Sequence, residues 1–252
     1  METNKDLFNY CLRLADDSLI LGHRLSEMCS KGPVIEEDLA LTNIALDHIG
    51  RAQAILKYAG EIEAKGRTED DIAYRREERE YKNHLITEQP NGDFANVIAR
   101  QLYISLFEML FYSELEKSND KTIAAIASKT IKEIKYHLIH ATDWTIRLGD
   151  GTEESHLRMQ KAIEDLWMYT GELFEMDEVD LFMAKNGIGV DLTPMKIQWE
   201  QQLTTILNEA TLKMPSASYM QTGSRNGMHT ENLGHILSEM QYLQRTYPDA
   251  KW

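Results

Sequence analysis

The chain has 252 residues, 42% apolar and 27% charged, and a net charge of −14. That acidic balance speaks against free nucleic acid or an anionic membrane as partner, since both need a concentrated positive surface. Five prolines and fourteen glycines, the glycines mostly between periodic segments, favour long helices over many short strands.

The first helix is expected from about Lys5 to Ser30. Leu7, Cys11, Leu14, Ser18, Leu21, Leu25 and Met28 form one stripe, and Phe8, Leu12, Ala15 and Leu19 form a second beside it. Such a broad arc packs against two neighbours, with Asp16 and Asp17 at its margins. Cys11 and Cys29 fit no CxxC pattern. Eighteen residues apart on one helix, they would lie ~27 Å from each other at 1.5 Å per residue, too far to bond. A reducing cytoplasm is expected. The N-terminus has acids among its apolar residues, and no apolar run approaches ~18 residues, so neither a signal peptide nor a membrane span is expected.

The second helix is expected from Glu36 to Gly60 or Gly66, with Leu39, Leu46, Ile49 and Leu56 as its core face. Asn43, Asp47, Gly50 and Ala54 form an adjoining small and polar row. Residues 67–90 are too long for a turn and suit a crossover with its own short helix. Arg75, Arg76 and Arg79 in it read as a solvated face. Pro90-Asn91-Gly92 is a turn signal. The third long helix follows, from Asp93 to Lys117, with Val97, Gln101, Ile104, Glu108, Phe111 and Leu115 on one face. Ser118-Asn119-Asp120 closes it and caps the next.

That next helix, 123–148, carries Ile123, Ala127, Thr130, Ile134, His137, Ala141, Trp144 and Leu148 at alternating spacings of four and three, one helical face. Glu133 and His140 lie a turn either side of His137. Lys129, Lys132 and Lys135 share another face, a solvated one or a patch for a phosphorylated cofactor or an acidic partner. A fifth helix, 153–174, has Met159, Ile163, Leu166, Thr170 and Leu173 inward. A short helix within 175–192, a helix opened by Thr193-Pro194 and running to Leu212, an ordered loop over 214–229 and a last helix from Thr230 to Pro248 complete the chain. Thr222–Gly227 resembles a phosphate loop in composition only and reads as a turn. No strand alternation, repeat or nucleotide motif is evident. The expected class is all-α: a single ferritin-like helical bundle spanning 1–252, with core helices at about 5–150, one long crossover, and extra C-terminal helices at about 153–248.

A di-iron site in such a bundle needs Glu-x-x-His on two helices and one further Glu on each of the other two. The nearest matches are Asp47-x-x-Gly50 and Glu133-x-x-Tyr136, with both histidine places lost. Glu108 is well placed, and the first helix offers only Asp16 or Asp17. The expectation is no catalytic, cofactor or metal site in this chain. What remains is a vestigial polar core of Asp47, Glu108, Glu133 and His137, in which Glu133 and His137 pair at i, i+4. The alternative is a metal-dependent oxygenase using Glu108, Glu133, His137 and His140. His23, His48, His84, His156, His229 and His235 receive no role.

Five stretches, ALTNIALDHIGRAQ (40–53), TEQPNGDFANVIARQ (87–101), KEIKYHLIHATDWTIRLGDGT (132–152), LFEMDEVD (173–180) and HTENLGHILSEMQYLQR (229–245), resemble the C subunits of bacterial 1,2-phenylacetyl-CoA epoxidases over nearly the whole chain. The resemblance implies a ferritin-like fold and a non-catalytic, structural role in a cytoplasmic monooxygenase complex of phenylacetate catabolism. It implies a partner, the catalytic A subunit, that carries the di-iron centre and binds the CoA thioester. It also implies an NADPH reductase subunit in the same hetero-oligomer. A homodimer of the chain alone stays open.

Overall fold

The computed structural model describes residues 2–248 and 250. Among them there is helix and turn and no strand, and no helix is long and apolar enough to cross a membrane. Contacts gather the chain into two compact units, Met1–Pro90 with Gly223–Trp252, and Asn91–Thr222.

The first unit is built on a helical hairpin. Helix α1 (Glu2–Ser26) and helix α2 (Ile35–Glu63) pack along each other. The two predicted stripes of α1 are buried apart from Phe8, which is half-buried. The helix stops at Ser26, four residues earlier than its periodicity suggests. The chain turns through Ser30, whose φ is +67°, so Cys29 lies beyond the helix and is exposed while Cys11 is buried.

The core face of α2 is not the one its leucines suggest. Leu39 is 58% and Leu46 62% exposed. The buried arc is instead Leu41, Ile44, Ala45, His48, Ala52, Ile55 and Leu56. Only Leu56 of the expected four is fully buried, with Ile49 intermediate. The helix is apolar on two opposite sides, so periodicity alone had no way to choose between them.

The crossover does carry a short helix, α3 (Glu69–Tyr74), started by a capping box between Thr68 and Asp71. Two 3₁₀ turns follow, at Glu78–Glu80 and Leu85–Glu88. The second unit, taken up below, holds α4 to α8. The first is completed from the far end of the chain by α9 (Glu231–Met240) and α10 (Tyr242–Thr246). These replace the single expected last helix, which breaks at Gln241. Gly227, with φ +75°, lies against the Arg79 carbonyl where a Cβ would collide; no other residue suits both constraints.

The second unit contains α4 (Phe94–Leu115) and α5 (Lys121–Gly149), again a hairpin, with α6 (Glu153–Trp167), α7 (Glu178–Lys185) and α8 (Met195–Glu209). Asp93 accepts a hydrogen bond from the Asn96 N–H at 3.1 Å. Asp120 caps α5 through the N–H groups of Thr122 (2.9 Å) and Ile123 (3.0 Å), as its position suggests. The expected face of α4 is buried throughout, and that of α5 from Ile123 to Ala141, with Trp144 and Leu148 half-buried. Helix α6 ends at Trp167, and a 3₁₀ turn at Gly171–Phe174 replaces its expected last turn.

An aromatic cluster anchors this unit: the Trp199 ring lies 5.6 Å from Tyr103, 6.0 Å from Trp167 and 5.5 Å from Phe174. Its indole N–H donates to the Tyr103 carbonyl at 3.1 Å. Trp199→Phe keeps the stacking and loses the hydrogen bond and some volume. It is expected to cost about 1–2 kcal/mol in urea unfolding.

Two long helical pairs joined by one long crossover is the connectivity of the ferritin-like class.

Candidate functional site

The buried polar side chains of the first unit form three connected centres. In the first, Asp16 is fully buried and Arg76 is 3% exposed. Both guanidinium Nη atoms donate to the carboxylate, Nη1 at 2.9 Å, and the Lys82 N–H adds a third donor at 2.8 Å. Arg76 also donates from Nε to the Ile72 carbonyl at 2.6 Å and stacks over the Tyr81 ring at 4.2 Å. Burial tends to lower the arginine's pKa, but the Asp16 charge beside it more than compensates and raises it. Burial drives the Tyr81 hydroxyl well above its usual value. Gln241 ties the C-terminal helices to this centre, donating to the Tyr81 hydroxyl (2.8 Å) and the Arg76 carbonyl (2.9 Å).

In the second centre Asp17 accepts from the His84 N–H at 2.6 Å and lies 2.9 Å from His84 Nδ1. Arg225 reaches the same carboxylate at 3.3 Å and His84 Nε2 at 3.0 Å. Burial alone would raise the Asp17 pKa; His84 and Arg225 outweigh it and hold it below the ordinary value.

The third centre is Glu88. Its Oε1 accepts from the Thr230 N–H (2.6 Å) and hydroxyl (2.8 Å). Its Oε2 accepts from Asn83 Nδ2 and lies against His229 Nδ1, both at 2.9 Å. The other nitrogen of His229 faces the Tyr81 carbonyl at 3.0 Å. Both ring nitrogens therefore face acceptors, which favours the imidazolium. Burial pulls the His229 pKa down, yet Glu88, the Tyr81 carbonyl and the Asp16 charge together raise it above 6.5. Arg24 of α1 completes the knot by donating to the Glu88 carbonyl at 3.0 and 2.9 Å and to that of Asn232 at 3.3 Å. Thus the two sequence stretches EQPNG and HTEN meet each other directly.

These centres correct the reading of several residues. Arg76 is no part of a solvated face; it is buried because Asp16, one turn of α1 from the apolar stripe, needs a counter-charge. Arg79 is exposed, and Arg75 is exposed and pairs with Asp71 at 3.3 Å. His84 and His229, given no role, are central. Their signal in the sequence was slight: paired aspartates on an otherwise apolar helix, and arginines and histidines in a crossover.

The second unit places Glu108 and His137 in its interior, a carboxylate oxygen and a ring nitrogen within 4.8 Å of each other. His140 is buried on the same side of α5. Glu133 is half-exposed, 3.9 Å from Lys129 Nζ, because Ile134 beside it takes the centre of the buried arc. Asp47 on α2 is half-exposed too. Gly50 is exposed and Tyr136 is 48% exposed, so neither marks a ligand place. The inward residues at that spacing are Ala45-x-x-His48 on α2 and Ile134-x-x-His137 on α5, all four buried. Each helix therefore keeps the imidazole and has an aliphatic side chain where Glu-x-x-His has its carboxylate. Two bridged iron ions need those carboxylates for neutralisation and bridging, and the run on neither helix fits them. Lys129, Lys132 and Lys135 are exposed along α5. A groove of about 380 Å³ in this unit, lined in part by Lys117, Asp191, Met195 and Gln198, contains none of the candidate residues.

The family model for phenylacetic acid catabolic protein matches residues 1–252. The chain is 46% identical over 243 residues to the C subunit of the 1,2-phenylacetyl-CoA epoxidase of Escherichia coli strain K12, covering 96% of this chain and 98% of that protein. With its all-helical, ferritin-like build, the chain belongs to the phenylacetic acid catabolic protein family.

Proposed function

We propose that this chain is a structural component of a phenylacetyl-CoA epoxidase, a cytoplasmic monooxygenase complex of phenylacetate catabolism. In this reading it holds the catalytic A subunit in its working shape and performs no chemistry itself. The observation that carries the reading is the 46% identity, nearly end to end, with a protein named as the C subunit of that enzyme. The aliphatic Ala45 and Ile134 at the carboxylate places support the non-catalytic part, since a bundle without bridging carboxylates has no means of neutralising two iron ions. The di-iron centre and the CoA thioester then belong to the A subunit, and electrons reach it through the NADPH reductase subunit. This chain needs no cofactor of its own.

Co-purification combined with elemental analysis tests the reading. The chain alone is expected to retain no stoichiometric iron after dialysis and to turn over no phenylacetyl-CoA with iron and a reductant. Mixed with the A subunit, it is expected to elute as a complex whose iron tracks the A subunit. Two equivalents of iron retained by the chain alone, and lost on Glu108→Ala, would reverse the assignment in favour of an oxygenase built on Glu108, His137 and His140.

A further inference from the structure

The interior of the second unit holds an amide that meets no partner among the described residues. Gln101 stands in α4 and is 1% exposed. Neither its Oε1 nor its Nε2 has a hydrogen-bond partner there. A primary amide taken out of water into such a setting loses its hydration and regains nothing, so groups of this kind are rare in native interiors. A glutamine that only filled space would be less favourable than a methionine or leucine of similar size.

Its surroundings are polar along one line. Gln101, Ser105 and Glu108 recur at spacings of four and three on α4, and all three are buried. Phe94 and Trp144 meet edge to face with ring centroids 5.0 Å apart, which sets the register of α4 against α5. Seven residues inward along each helix, from Phe94 to Gln101 and from Trp144 to His137, brings the amide level with that buried imidazole. Gln101 therefore belongs to a polar seam of the α4–α5 pair.

We propose that Gln101 is a binding site for structural water inside the second unit. The chemistry of the amide selects the occupant. Its Oε1 accepts and its Nε2 donates. A metal cation would satisfy the oxygen and be repelled by the N–H groups, and an anion would do the reverse. A species that donates and accepts at once satisfies both, and water does so with one oxygen bridging the two ends. At 1% exposure the side chain has no opening for a substrate-sized molecule, and the groove of about 380 Å³ in this unit is lined by other residues. Ser105, one turn along, offers a hydroxyl of the kind a buried water takes as a further partner. Water held there pins the seam, because a slip of α4 against α5 would strip it of its partners. The site is independent of the role in the epoxidase proposed above.

The test uses the full chain with ¹⁵N-labelled glutamine, the Gln101 side-chain amide being assigned through its own backbone resonances. Nuclear Overhauser transfer from water to the Gln101 Nε2 protons is expected in the folded wild type, with the sign of a long-held water. Absence of that transfer shows a dry amide and overturns the proposal, whatever the variant does. Gln101→Met keeps the volume and removes both polar atoms. Its thermal midpoint is expected at or below that of the wild type, since water had already satisfied the amide. A midpoint raised by about 4 °C or more would show that the amide is unsatisfied and would also overturn it. Native mass spectrometry covers other occupants: a mass above that of the polypeptide, kept through desalting and lost in Gln101→Met, would assign the site to a different ligand and remove the water.

Discussion

Asp16→Ala is expected to lower the folding stability by about 3–5 kcal/mol, the range for removing one partner of a buried ion pair. The loss comes less from the missing attraction than from the Arg76 guanidinium left behind. Its side chain is 3% exposed, too little for bulk water to replace the two Nη contacts, and the Lys82 N–H loses its acceptor as well. Urea unfolding should show a lower midpoint with an unchanged slope. The double variant Asp16→Leu, Arg76→Met removes both charges together and should recover at least about 2 kcal/mol of that loss, because the desolvation of the ions disappears with them. A single variant within about 1 kcal/mol of wild type would mean that the pair is not dry, and the account of the first centre would fall. The tie to the C-terminal helices should report the same event. Gln241 and Arg245 both donate to the Arg76 carbonyl at 2.9 Å, so amide exchange in 231–246 should accelerate in Asp16→Ala before other regions respond.

Glu88→Gln should cost about 3 kcal/mol and remove a pH dependence, since the carboxylate accepts from four donors and an amide replaces one acceptor oxygen by an NH₂ group that faces donors. The pH effect follows from His229. Its folded pKa is raised above the ordinary 6.5, so between those two values the folded chain holds a proton that the unfolded chain does not. The contribution is complete below about 6.5 and is lost as the pH climbs through the raised folded value. Stability of the wild type should therefore decline on that alkaline side, and both Glu88→Gln and His229→Asn should flatten the decline. His23 acts with the opposite sign, since burial lowers its pKa to about 4. Its contribution is complete above about 6.5 and fades as the pH falls toward 4, so the comparison is cleanest on the alkaline side. An alkaline decline of equal slope in wild type and His229→Asn would show that the imidazolium is not what titrates.

The residues that proved legible in the sequence share one property: their environment is set by their own helix. The α4 face from Val97 to Leu115, the α5 stripe from Ile123 to Ala141 and the Asp120 cap each follow from a single period or a local hydrogen bond. The crossover with its short helix followed from length and from the polar composition of 67–90. The turn at Gly223–Gly227 followed from its glycines.

The sequence by itself determined the helical class, the order of the long pairs and the resemblance that points to the epoxidase complex. These rest on local propensity, on periodicity and on stretches that can be compared letter by letter. The tertiary structure alone decided which side of α2 is the core, because both sides are apolar and only the folded packing tells Ala45 and His48 from Leu39 and Leu46. It likewise decided that Glu88 belongs to His229, Asp17 to Arg225, and Asp16 to Arg76. Those partners lie 60 to 208 residues apart along the chain. A buried charge needs its counter-charge close in space, and no periodicity records where the fold will bring it.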